Sequence, residues 1–117
     1  MQLKEMFDKI SGSYDGVMER LLSEERVIKF LGKFVNSPEY DNIVKAYDEK
    51  NYEDLFLHSH SLKGVALNLG LSKLGKSASE LCDSVRHGPP EGDISGLYEE
   101  MKKDYAETVS AIKELLG

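Results

Sequence analysis

In the run His60-Ser61-Leu62-Lys63-Gly64, an imidazole is followed three positions later by an ammonium and four positions later by bare backbone. Residues at i, i+3 and i+4 share one face of a helix, so the three sit together. A neutral imidazole is a good nucleophile near neutral pH, its unperturbed pKa being about 6.5. Attack on phosphorus would leave a phosphoramidate with an added charge of about −2, by analogy with phosphate esters. Lys63 can offset part of that charge as a point cation, without fixed bidentate geometry. Gly64 costs a helix interior about 1 kcal/mol relative to Ala. A glycine kept there despite the cost suggests that something bulky approaches the backbone beside His60. The segment has the residues expected of a site that carries a phosphoryl group on a ring nitrogen.

The neighbours of the imidazole extend this reading. Taking about 100° per residue and turning Leu62 inward, Leu55, Ala66 and Leu69 fall within roughly 40° of it. His58, Ser59 and Val65 fall within roughly 60° and complete the core-facing arc. His60 then lies about 160° away and points outward. Gly64 and Leu67 lie near it, with Phe56 and Lys63 on one flank and Leu57 and Asn68 on the other. An apolar patch rimmed by polar groups usually marks a docking surface. Phe56, Leu57, Leu67 and Asn68 are therefore expected to meet a partner, or else to contact the N-terminal helices.

No carboxylate cluster for Mg²⁺ accompanies His60, and no glycine-rich phosphate loop is present. The chain is thus expected to hold a phosphoryl group with no cofactor of its own, the metal and activating groups coming from donor and acceptor. His58 and His60 are two apart and do not share a face, so they make a poor metal pair. His58 reads as a partly buried structural residue, and His87 as a cation favoured by a helix C-terminus. The single Cys82 excludes an internal disulfide and a multi-cysteine metal site, and reads as a small semi-buried residue.

Apolar residues recur at helical spacing throughout, without strand alternation. Leu3, Met6, Phe7 and Ile10 precede a break at Ser11-Gly12-Ser13, after which Tyr14, Val17, Met18, Leu21 and Leu22 resume the pattern. Ser23 caps a helix with Val27, Phe30, Leu31 and Phe34 on its core stripe. Ser37-Pro38 restarts the chain, Ser37 capping and Pro38 at the first helical position, and that helix ends near Glu49. Asn51 caps the histidine helix, which stops at Gly70, and Ser72 caps the next. Gly88-Pro89-Pro90 ends it. The last helix carries Ile94, Leu97, Tyr98, Met101, Tyr105, Val109, Ile112 and Leu116 inward, and Glu99, Glu100, Lys102, Lys103 and Asp104 on its wet face. Short loops make neighbours antiparallel. The fold class is all-α: an antiparallel four-helix bundle with additional N-terminal helices.

With 117 residues the chain is one domain, 1–117, comprising an N-terminal helical segment 1–35, the histidine-bearing hairpin 51–87 and the long helix 94–116. A net charge of −6 argues against a nucleic-acid binder. The N-terminus lacks a basic region followed by an apolar run, and no stretch approaches the ~18 apolar residues of a membrane span. A cytoplasmic, monomeric protein is expected.

His60, Leu62, Lys63, Gly64, Ala66 and Gly70, continued by Leu71, Leu74, Ala78 and Leu81, resemble the signature of histidine-containing phosphotransfer (HPt) domains. The resemblance is sharp over about Asn51 to Arg86, and the total length suits a free-standing module. It implies a four-helix bundle with the phosphorylatable histidine exposed midway along one helix. Receiver domains or a hybrid histidine kinase would dock over it and exchange phosphoryl groups with it. His60 would be the phospho-acceptor, Lys63 the charge partner and Gly64 the clearance residue. Many members carry a supporting polar residue on the following helix, matched here by Cys82 and Arg86. Cys82 departs from the hydrogen-bonding side chain found there, whereas Arg86 can help to position phosphate. Val65 is bulkier than the small residue that often follows the glycine. The rivals are an HPt-like bundle that binds a regulator without passing phosphate, and the phosphorylated module of a chemotaxis-type kinase.

Overall fold

A computed structural model describes every residue from Met1 to Gly117, with seven α-helices and no strand. They are α1 (Leu3–Lys9), α2 (Tyr14–Leu21), α3 (Glu24–Val35), α4 (Glu39–Asp48), α5 (Tyr52–Asn68), α6 (Ser72–Ser84) and α7 (Ser95–Leu116). Helices α4 to α7 form the four-helix bundle, and α1 to α3 are the additional N-terminal helices. One buried apolar cluster draws side chains from all seven.

Local chemistry accounts for most boundaries. The Ser23 and Asn51 side chains accept from the backbone N–H groups of Arg26 and Asp54, at 3.2 and 3.1 Å, and so cap α3 and α5 as expected. The α3–α4 link is shifted by one residue from expectation. Pro38 is the N-cap, and the Ser37 hydroxyl accepts from Glu39 N at 3.3 Å. Ser72 is likewise the first residue of α6 rather than its cap, its hydroxyl lying 3.4 Å from the Gly70 carbonyl.

Helices α5 and α6 form a close antiparallel hairpin. Cys82 Sγ lies 3.9 Å from the Phe56 carbonyl near one end, and Leu67 rests on Gly75 near the other. The hairpin turns at Gly70, whose φ of +74° is left-handed. The turn is also clamped from outside. Ser13 N donates to Gly70 O at 2.8 Å, and Arg20 donates from Nε to Asn68 O and from Nη2 to Leu67 O, each at 2.9 Å. The N-terminal segment thereby gives the Asn68 carbonyl a donor and adds a second to those of Leu67 and Gly70, which also accept from Gly70 N and the Ser72 hydroxyl.

On the opposite side, Tyr98 stacks on Tyr47 with ring centroids 3.6 Å apart, and Tyr105 stacks on Tyr40 at 3.9 Å and meets Phe34 at 5.9 Å. Residue numbers rise along α7 as they fall along α4, so those helices are antiparallel, and α7 continues past α4 onto α3. The buried face of α7 differs from expectation. Tyr98, Met101, Asp104, Thr108, Ala111 and Ile112 are buried, while Leu116 is 42 % exposed. Asp104, expected on the wet face, is 3 % exposed. It turns toward α6, where Lys73 Nζ stands 3.6 Å from its Oδ1 and 3.3 Å from Glu107 Oε2. A lysine stem that can cover the carboxylate while its ammonium stays wet makes this burial tolerable.

Candidate phosphoryl-carrying site

The inward face of α5 carries Leu55, Ser59, Leu62 and Ala66, all buried. The Ser59 hydroxyl is satisfied by donating to Leu55 O at 2.6 Å, so it adds no unpaired polar group to the core. His60 lies on the far side, exposed, midway along the helix. Its ring leans on Phe56, one turn earlier, with centroids 5.8 Å apart and planes inclined by 23°.

Gly64 is the most telling neighbour. A Cβ built there would meet nothing within 4 Å. No contact inside the chain requires a glycine at this position, although helix propensity opposes it by about 1 kcal/mol. The space above the backbone beside His60 is open to a visitor.

The two flanks of the histidine differ in character. Toward α6 the surface is charged. Lys63 is half-buried, and Arg86 Nη2 pairs with Asp83 Oδ1 at 2.6 Å. The Arg86 guanidinium also lies 5.5 Å from the Phe56 ring centroid, a cation–π contact that fixes its position. Arg86, and at longer range Lys63, hold the Asp83 carboxyl below its usual range. Toward α3 and the link that follows it the surface is an open groove of about 560 Å³, lined by Phe30, Lys33, Gly64, Val65 and Asn68 among others.

Of the residues expected to meet a partner, Leu57 and Leu67 are 56 % and 45 % exposed, Asn68 is exposed, and Phe56 is half-buried under Arg86. Leu67 also packs on Gly75, so its side chain is shared between the surface and the α5–α6 contact. Cys82 requires correction. It is fully buried beneath Phe56, where no docked protein can touch it, and it supports the site only from below. Val65, placed on the core side by the helical wheel, is 43 % exposed and faces the groove, because α3 and the link after it stand off from α5 there. Phe30, expected in the core stripe of α3, lies at the surface with Lys33 Nζ 5.4 Å from its ring centroid.

His58 is half-buried, as expected, and its Nδ1 lies 2.8 Å from Glu39 Oε2 on α4. It braces α4 against α5 and takes no part in the exposed face. No group of three or more His, Cys, Asp or Glu side chains is arranged to hold a metal ion. Sequence reasoning missed Asp83, Lys33 and the outward Phe30. The spacing of Phe30 and Lys33, one turn apart on α3, is the only local signal that could have paired those two.

This geometry agrees with the comparison against protein families. The Hpt domain model matches residues 36–115, most of the chain and all four bundle helices. The chain therefore belongs to the Hpt domain family, the histidine-containing phosphotransfer modules whose partners are the receiver domains and histidine kinases of phosphorelays. The match begins after α3, so the Phe30 side of the groove lies outside it. Neither the curated proteins nor the solved structures compared with the chain gave a match. No helix is long and apolar enough to cross a membrane.

Proposed function

We propose that His60 accepts a phosphoryl group from the aspartyl phosphate of a receiver domain and passes it to another receiver, without autonomous kinase activity. The single observation that carries this reading is an exposed imidazole beside a helix glycine that nothing in the chain obliges to be glycine. In the forward step, the lone pair of a ring nitrogen attacks phosphorus. An N–P bond forms as the P–O bond to the receiver's aspartate breaks, and the aspartate leaves as a carboxylate with the bonding electrons. The other ring nitrogen keeps its proton until solvent takes it. The return step is the same in reverse, with a second aspartate as nucleophile.

Lys63 and Arg86 supply positive charge toward which the phosphoryl oxygens can turn, and Gly64 supplies clearance for the incoming loop. The divalent cation of such a transfer belongs to the receiver. Leu57, Leu67 and Asn68, with Phe56 behind His60 and Val65 in the groove, offer the receiver an apolar landing surface. The test is to incubate the protein with a phosphorylated receiver and assay acid-labile, alkali-stable label. Wild type should be labelled and His60→Gln should not. A stable complex without label would instead support a non-transferring binding module, and labelling that persists in His60→Gln would remove His60 from the reaction.

A further inference from the structure

Arg86 stands over the ring on which His60 leans, and a carboxylate is paired with it. Asp83 Oδ1 accepts from Arg86 Nη2 at 2.6 Å, and Arg86 is fixed over the Phe56 ring on which His60 leans. Side chains on a helix lean toward its N-terminus. Because α5 and α6 are antiparallel, Lys63 leans back along α5 toward His60 and Asp83 leans back along α6 toward the same level, while Arg86, just past the end of α6, lies over Phe56. Lys63 registers at Asp83 as a second stabilising charge. The carboxylate is exposed, makes no contribution to the core, and is not needed to solubilise a chain whose net charge is already −6.

We infer that Asp83 is a positioning residue that competes with the phosphoryl group on His60 for Arg86, keeping the phosphohistidine short-lived and ready to give its phosphoryl group away. This rests on the proposed role of His60. With the ring unmodified, Asp83 holds the Arg86 guanidinium by their 2.6 Å pair. Once an added charge of about −2 arrives on the ring, the guanidinium turns toward its oxygens, and the displaced carboxylate repels the new anion. A carrier needs that balance. Cations alone would trap the phosphoryl group on histidine, whereas a resident anion raises its free energy relative to the aspartyl phosphates on either side.

The test compares wild type, Asp83→Asn and Asp83→Glu, each phosphorylated on histidine with a small phosphoramidate donor so that labelling does not depend on docking. Asn keeps an oxygen for Arg86 and removes the charge, while Glu restores the charge. Asp83→Asn should lengthen the phosphohistidine half-life and shift the equilibrium with a receiver toward histidine, by about two- to fivefold, the size of one exposed charge interaction. Asp83→Glu should return both toward wild type. The Asp83→Asn effect should shrink in an Arg86→Ala background, because the carboxylate then has lost the cation it competes for. A purely structural Asp83 would change the melting temperature and leave half-life and equilibrium alone. Labelled His60 with the same half-life and equilibrium in Asp83→Asn would overturn the role of Asp83 and spare that of His60. No label on His60 from any donor would overturn both.

Discussion

Gly64 and Gly70 stand six residues apart on the same helix and its stop, and they answer to different demands. At Gly70 the chain itself requires glycine. The backbone is left-handed, and an added Cβ would lie 2.6 Å from the Ser13 carbonyl oxygen and 3.2 Å from both Phe7 and Val17 side-chain atoms. At Gly64 the backbone is helical and the space is empty. One glycine closes the fold and the other leaves it open. The same division runs through the molecule. Around the turn and along the α4–α7 wall, residue choices are explained by contacts within the chain. Around His60, the open space over Gly64 and the exposure of Leu57 have no counterpart within the chain.

The sharpest way to break this contrast is to fill each glycine. Gly70→Ala combines a left-handed penalty of about 1–2 kcal/mol with a clash against backbone that cannot swing aside. A loss of about 2–4 kcal/mol is expected from denaturant melts. A variant as stable as wild type would show that the N-terminal clamp does not bear on the turn. The α4–α7 wall offers a second test on the closed side. Burial, with smaller effects of Asp48 and Tyr40, pushes the Tyr98 hydroxyl up to about 12. The unfolded chain releases that proton near pH 10, whereas the folded chain keeps it. The stability it contributes is complete below about pH 10 and is lost as the pH rises toward the folded value. The loss is at most about 2–3 kcal/mol, to be read from urea midpoints. Tyr98→Phe should flatten that alkaline slope without altering phosphoryl transfer. An unchanged slope would mean that the stack is wetter than its geometry implies.

The two glycines also explain what was legible in the sequence. Gly70 is a helix stop, Asn51 is a cap and His60 lies opposite Leu62; each follows from local pattern, and each stands where expected. Helical phase is local information. How many neighbours cover a helix is not, and Val65 and Phe30 came out exposed because the wheel gives direction but not the width of the covered arc. Asp104 was misplaced for a related reason: a charged residue reads as wet until Lys73, on another helix, is seen to lie over it. Cys82 lies in the same stripe as Arg86, yet it sits under Phe56 while Arg86 extends over the ring, a difference set by side-chain length. The Asp83–Arg86 pair has a local i,i+3 spacing, but its place beside the Phe56 ring follows only from the α5–α6 hairpin.

The open face is tested most directly at Gly64. Gly64→Ala should gain about 0.5–1 kcal/mol of stability from helix propensity, since its Cβ meets nothing in the chain. Gly64→Leu should fold equally well and should accept phosphoryl groups from a phosphorylated receiver at least about tenfold more slowly, the cost of forcing a side chain into a close-packed contact. A Gly64→Leu protein that is stably folded and takes up phosphate at the wild-type rate would contradict the claim that the space beside His60 is kept clear for a docking partner.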